Sequence, residues 1–267
     1  MGVVAVRGIG DYHSHTRWSD GQGSIAEVVA AAMAIGLPEI GVSDHVVPTA
    51  LDDGFGLPLE RLGEYAAEVR RVAATNSAPR VLLGVEVDFS LETWAAIMTL
   101  VRPHRPDYVI GAVHTLAGVA VDIEPHRCAE RWPRADTLFC EYYETVAELA
   151  GAGGLDVVGH LDLPKKFGRR PSMAVRPAED LVLDAIAAAG LLLELSTAGL
   201  RCPVAEPYPS LSLLTRARER GIRMTFGSDA HGPEHVGFAL ARAAQYARRA
   251  GYECWVRLSD RAEVELP

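Results

Sequence analysis

Short apolar runs alternate with amphipathic stretches along almost the whole chain. The runs at 9–13, 39–44, 80–87, 108–113, 155–159, 191–196 and 223–228 carry few polar residues. That is the pattern of strands covered on both faces. A further run, Cys254–Leu258, reads as an eighth strand or a peripheral one. Between the runs, apolar residues recur at helical spacing near 24–35, 58–75, 137–150, 178–189, 210–220 and 235–250. Ser24 with Glu27 forms a capping-box pattern before the first of these, and Gly36 is placed to stop it. Ser90 is expected to cap a helix carrying Trp94, Ile97 and Met98, while Gly190, Gly221 and Gly251 stand at helix ends.

About seven strand–helix units in 267 residues predict an α/β fold, a TIM-like barrel, as a single domain over 1–267. A doubly wound open sheet would need a Gly-rich phosphate loop after the first strand, and the sequence has none there. The stretch Val46–Leu57, with Pro48, Gly54 and Gly56, reads as a long loop and a lid over a site.

Composition narrows the function. Hydrophobic content of 49% and charged content of 23% are ordinary for a soluble globular protein. No apolar run reaches ~20 residues, so a cytoplasmic protein with no membrane partner is expected. The four cysteines form no CxxC pair, which removes zinc-ribbon and thioredoxin-like readings and leaves buried reduced thiols. A formal charge of −9 opposes binding to a nucleic-acid backbone.

The chemistry lies at the strand ends. Asp11-Tyr-His13-Ser-His15, Ser43-Asp44-His45, Glu86, His114, His160 and Asp229-Ala-His231 each follow an apolar run. In a barrel these ends share one face, where active sites lie. His13 and His15 are two apart, which puts both side chains on one side of a strand, and Asp229 and His231 repeat that spacing. Barrel closure would bring the two pairs together. A lone HxH is weak; the joint placement of six of the nine histidines carries the weight, with His104, His126 and His235 left as surface or supporting residues.

The segments DYHSHTRWSDG (11–21), IGVSDHVVP (40–48), LLGVEVDF (82–89), VIGAVHTL (109–116), VVGHLDLPKKFG (157–168), LELSTAGLR (193–201), YPS (208–210) and FGSDAHGPEHVG (226–237) together resemble the PHP (polymerase and histidinol phosphatase) superfamily, in particular its monofunctional histidinol-phosphatases. The resemblance implies a distorted (β/α)7 barrel holding three divalent metals. It implies a first metal on His13, His15, Glu86 and Asp229, a second on bridging Glu86 with His114 and His160, and a third on Asp20, His45 and His231. Mixed imidazole and carboxylate donors suit Zn, Mn or Fe. Three such cations would bring the formal charge from −9 to −3.

Three ligand carboxylates against three divalent cations leave a site near +3, which attracts a phosphomonoester dianion. Bound metals lower the pKa of water toward ~7. The expected reaction is therefore hydrolysis of a phosphomonoester by in-line attack of a metal-bridging hydroxide, without a phosphoenzyme, and the resemblance implies L-histidinol phosphate as its substrate. The alternative is a phosphoesterase acting on nucleotides or nucleic-acid ends.

Around the metals, Asp11 shares a face with His13 and is a candidate to orient a ligand imidazole. Asp162, two residues after His160, is expected to accept a substrate ammonium or to assist the leaving alcohol. Arg201 is the favoured phosphate clamp, because a guanidinium matches phosphate geometry. Arg17 and Lys166 are secondary candidates for substrate. Two local departures from the family's pattern, Ala112 before Val113-His114 and one in the strand Glu194-Leu195-Ser196-Thr197, bear on substrate choice.

Overall fold

A computed structural model describes residues 8–48 and 54–267. In chain order its strands are β1 (Glu39–Val42), β2 (His45–Val46), β3 (Arg80–Asp88), β4 (Tyr108–Ala112), β5 (Thr115–Leu116), β6 (Val119–Ala120), β7 (Val157–Val158), β8 (Leu192–Ser196), β9 (Met224–Gly227), β10 (Cys254–Val256) and β11 (Glu263–Glu265). One parallel sheet runs β1-β3-β4-β7-β8-β9, with β2 pairing further along β3. β5 and β6 form an antiparallel hairpin beyond β4.

The run expected at 9–13 forms no regular strand. It makes single bridges, Asp11 with Ile40 and Ser14 with Ala230. The reason is that its backbone bonds alternate between two neighbours. Asp11 N–H donates to Glu39 O at 3.2 Å on one side, and Tyr12 N–H to Phe226 O at 3.1 Å on the other. No continuous ladder results, but the segment joins the two edges of the sheet, β1 and β9, and the sheet closes as a distorted barrel. β7 is shorter than expected because the chain turns at His160, whose φ is 21°. β10 pairs antiparallel with β11, so the last run is peripheral.

Among the described residues, seven α-helices cover the outside: α1 (Ile25–Ala34), α2 (Leu62–Thr75), α3 (Trp94–Val101), α4 (Ala135–Ala152), α5 (Arg176–Ala189), α6 (Leu211–Glu219) and α7 (Leu240–Arg249). The capping box at α1 is present: Glu27 N–H donates to Ser24 Oγ, and Ser24 N–H to Glu27 Oε2 at 2.8 Å. Ser90 is not a cap. Its carbonyl closes a turn by accepting Thr93 and Trp94 N–H, and α3 starts three residues later than expected. Among the described residues no helix is long and apolar enough to cross a membrane. The four cysteines are free; Cys128 is buried and the others are half-buried.

The barrel interior below the site is filled by aromatic rings. Tyr108 is fully buried, and its hydroxyl donates to Tyr12 O at 2.6 Å. β1 and β3 make room for it with glycines: a Cβ on Gly41 would sit 2.0 Å from the Tyr108 hydroxyl, and one on Gly84 2.3 Å from its Cζ. Tyr65 reaches in from α2 and donates to Val42 O and Gly84 O, both at 2.9 Å. This packed floor holds the upper strand ends in place. Residues 49–53 of the expected 46–57 lid lie outside the described residues. Beyond them, Phe55 packs edge-on to His45, with ring centroids 5.1 Å apart.

Candidate metal centre

The strand ends bring all nine expected donors together. They fall into overlapping groups whose donor atoms lie within 4.8 Å of one another: His15, Asp20, His45 and His231; His13, His15 and Asp229; His13, Glu86 and His160; His45, Glu86 and His114. The i, i+2 spacing works as elementary strand geometry requires. His13 Nε2 and His15 Nε2 lie 3.2 and 3.6 Å from the same oxygen, Glu86 Oε2. Closure of the barrel puts Asp229 Oδ1 3.2 Å from His15 Nε2. His114 Nε2 and His160 Nε2 lie 3.7 and 2.9 Å from the other oxygen, Glu86 Oε1. His15 also stands between His45 and His231, its ring centroid 4.2 and 4.3 Å from theirs.

The donor geometry suits a cation better than hydrogen bonding. Glu86 Oε2 has His45 Nδ1 at 2.9 Å and His13 Nε2 at 3.2 Å, yet none of these three buried atoms makes an aligned hydrogen bond. Both ring nitrogens of His15 also lack one. Buried polar atoms are nearly always paired. Several that point at a common space without pairing describe a metal-binding cluster.

Without metal, the cluster balances its carboxylates with protons. Burial opposes the charge of His13, but Glu194, Glu86 and Asp229 hold its imidazolium well above the ordinary range. Burial likewise opposes His114, and Asp88 and Glu86 push it up to about 10. His231 rises to about 9 against burial, through Asp20 and Asp229. His15 goes the other way, lowered to about 3 by burial and by His45 and His231. Glu86 and Asp229, although buried, are held well below the carboxylate range by the surrounding imidazoles.

Buried carboxylates behind the donors fix the loops. Asp11 was expected to face an imidazole. It instead accepts Ser228 N–H at 2.8 Å, Ser228 Oγ–H at 2.6 Å and Gly237 N–H at 2.7 Å, anchoring the 228–237 loop from the neighbouring strand end. Glu194 takes the His13 ring, with Oε1 2.7 Å from Nδ1. Asp88 Oδ1 accepts from His114 N–H at 3.1 Å and lies 3.0 Å from its Nδ1. Asp44 accepts Thr16 N–H, Thr16 Oγ–H, Ser19 N–H and Ser19 Oγ–H at 2.6–3.2 Å, shaping the turn that presents Asp20.

The donors open on a cleft of about 350 Å³. Its lining includes the donors Asp20, His45, His114, His160, Asp229 and His231, together with Lys166, Asp122, Phe55 and parts of the β5–β6 hairpin. Lys166 Nζ is 2.7 Å from Asp122 Oδ2. The other expected substrate residues lie off this lining. Asp162 is buried, with Oδ2 accepting Ser210 N–H at 2.8 Å and 3.0 Å from Lys165 Nζ, while its Oδ1 has no partner. Arg201 spends Nη2 on the carbonyls of Ser228 and Asp229, both at 2.8 Å, and its buried Nη1 has no partner. Arg17 is exposed, donates to Gln22 O at 2.7 Å, and faces Glu27 at 3.4 Å.

Comparison with known proteins assigns the chain to a family. The PHP domain matches residues 11–198, and a PHP-associated segment matches residues 214–242. The chain belongs to the PHP domain family. A Deinococcus radiodurans protein named "Probable histidinol-phosphatase" is 39% identical over 248 residues, covering 91% of this chain and 94% of that protein. A histidinol-phosphatase of Lactococcus lactis subsp. lactis is 24% identical over 255 residues, 91% of each chain. The crystal structure of the Lactococcus lactis histidinol phosphate phosphatase, complexed with zinc, L-histidinol and phosphate, shares the fold at a TM-score of 0.81 and 22% identity. It covers 96% of this chain and 99% of that one.

In this PHP chain, sequence reading passed over the supporting roles of Glu194 and Asp88 and the place of Asp122 in the cleft. Glu194 is an acid inside the apolar run Leu191–Leu195, and Asp88 stands two residues beyond Glu86. Each was a detectable irregularity, since a buried carboxylate needs a partner. Asp122 carried no such signal. It reaches the cleft only because the hairpin folds back.

Proposed function

We propose that the protein hydrolyses L-histidinol phosphate to L-histidinol and phosphate, as a cytoplasmic enzyme of histidine biosynthesis. The observation that carries this reading is the make-up of the cleft: metal-type donors line it together with one further cation and one further anion, Lys166 and Asp122. Kinship with proteins named as histidinol-phosphatases supports the substrate.

We assign three divalent metals to the donors: His13, His15, Glu86 and Asp229; Glu86, His114 and His160; and Asp20, His45 and His231. Zinc is the first candidate, by analogy with the Lactococcus structure. Bound there, such ions supply Lewis acidity and water acidified toward neutral pH. The chain's own residues do the rest. Glu86, central among five imidazoles, places donors from four other segments around one carboxylate. Lys166 draws the phosphate dianion to the cleft, and Asp122 faces the substrate ammonium. Arg201 holds the Ser228–Asp229 turn through its carbonyl contacts and adds positive charge behind it. Asp162 we assign to holding the Ser210 and Lys165 side of the site.

The test is a side-by-side assay of metal-loaded protein with L-histidinol phosphate, nucleoside monophosphates and oligonucleotides carrying a 3′ end. L-Histidinol phosphate is expected to have the highest kcat/KM. A higher value for either nucleotide substrate would overturn the assignment. Elemental analysis of the same preparation is expected to give three metal ions per chain.

A further inference from the structure

Glu194 lies in the middle of β8, buried, and both of its oxygens are used by donors from other segments. Oε1 is 2.7 Å from His13 Nδ1, and Oε2 accepts the backbone N–H of His160 at 2.7 Å. His160 has a φ of 21°, a backbone region disfavoured for a residue with a side chain. The hydrogen bond from its N–H is therefore one restraint keeping that turn in place. Across from the carboxylate, β9 has a glycine: a Cβ at Gly227 would fall 1.9 Å from Glu194 Oε1. The slot is shaped for this side chain in this orientation. Asp88 makes a similar pair of contacts, but to one residue only, His114.

An imidazole that donates from Nδ1 presents a lone pair at Nε2. His13 Nε2 faces Glu86 at 3.2 Å and Asp229 at 3.8 Å and has no hydrogen bond of its own. We propose that Glu194 is a positioning residue for the metal centre, holding the Nδ1–H tautomer of His13 and the His160 turn at once, so that one carboxylate sets two ligands on different strands. This rests on the assignment of His13 and His160 as metal ligands. A Gln in its place has one acceptor and one donor for two N–H groups. Either its NH2 faces His13 Nδ1 and favours a proton on Nε2, or it faces the His160 N–H and releases that turn.

Nitrogen-15 NMR of the histidine-labelled full chain, titrated with zinc, tests this in the unmutated protein and in Glu194→Gln. Zinc is expected to shift His13 Nε2 in the unmutated protein while Nδ1 keeps its proton. Glu194→Gln is expected to lower zinc affinity by about 10–100-fold in a protein that remains folded by circular dichroism. Asp88→Asn is expected to disturb only the His114 signals. Zinc bound through Nδ1 of His13 overturns the inference in the unmutated protein, whether or not the variant folds. So does a folded Glu194→Gln with affinity within twofold of the original and an unchanged Nδ1 proton. His13 signals indifferent to zinc overturn the ligand assignment, and the inference with it.

Discussion

Lys166 Nζ and Asp122 Oδ2 lie 2.7 Å apart in the lining of the cleft that the metal donors share. Burial weakens each charge alone, but each keeps the other ionised: Lys166 is raised by Asp122, and Asp122 is lowered by Lys166 and His114. The pair matches a substrate with one phosphate and one ammonium. Asp122→Asn is expected to raise KM for L-histidinol phosphate about tenfold, the loss of one partly solvated ionic contact. KM for phenyl phosphate, which has no ammonium, should stay level or fall as Lys166 is freed. Steady-state kinetics on both substrates decide this. An equal rise on both would place Asp122 behind Lys166 rather than on the ammonium.

Much of this site was readable in the sequence because its donors sit next to strand ends, and strand ends in a barrel converge. His13 and His15 needed only a period of two, and Asp229 and His231 needed only barrel closure. What escaped depends on contacts between distant segments. Glu194 and His13 are 181 positions apart, and Asp11 and Gly237 are 226 apart. No local pattern pairs them. The strand at 9–13 was placed correctly but is not a regular strand, because its hydrogen bonds alternate between β1 and β9. Arg201 was read as free to clamp phosphate, a property of its type. Its position instead ties Nη2 to two carbonyls.

Metal-free protein should lose stability as pH rises. His114 and His231, at about 10 and about 9, and His13, well above its ordinary value, all bind protons more tightly folded than unfolded. Their contribution is complete below the unfolded value of about 6.5 and is lost as pH climbs through the folded values. His15, lowered to about 3, has the opposite sign and acts only on the acid side of 6.5. Thermal melts of chelator-treated protein are therefore expected to fall by several degrees between pH 6.5 and 9.5. Zinc, which takes the place of those protons, should flatten that limb. A metal-free melting temperature that is level across the range would contradict the charge balance drawn here.

Asp44 is fully buried and accepts four hydrogen bonds from Thr16 and Ser19. Asp44→Ala strands those donors in the turn that carries Asp20. The expected cost is about 3 kcal/mol, or roughly 6–12 °C in Tm for a chain of this size. If Asp20 is the ligand proposed above, metal content should fall by the ion assigned to it. Calorimetry and elemental analysis check both. A drop in Tm with full zinc content would confine Asp44 to the fold.

Glu86 offers the severest test of the centre. It is buried, and its two oxygens lie within 4 Å of five imidazoles, those of His13, His15, His45, His114 and His160. Glu86→Gln keeps the shape and removes one negative charge. An NH2 group would then face ring nitrogens that need an acceptor or a cation between them. In metal-free protein the change also removes the carboxylate that helps keep His13 and His114 protonated, so their pKa values should fall. The steep alkaline limb of stability should become shallower. In the loaded protein, one bridging ligand serves two of the assigned metals, so at least one ion per chain is expected to be lost. The rate should drop by at least about 10³-fold, since a metal that activates water or polarises phosphate contributes several kcal/mol to the transition state. Elemental analysis, circular dichroism and turnover on L-histidinol phosphate separate the outcomes. A folded Glu86→Gln with the full metal count and a rate within tenfold of the original would show that these imidazoles do not share their ions through this carboxylate.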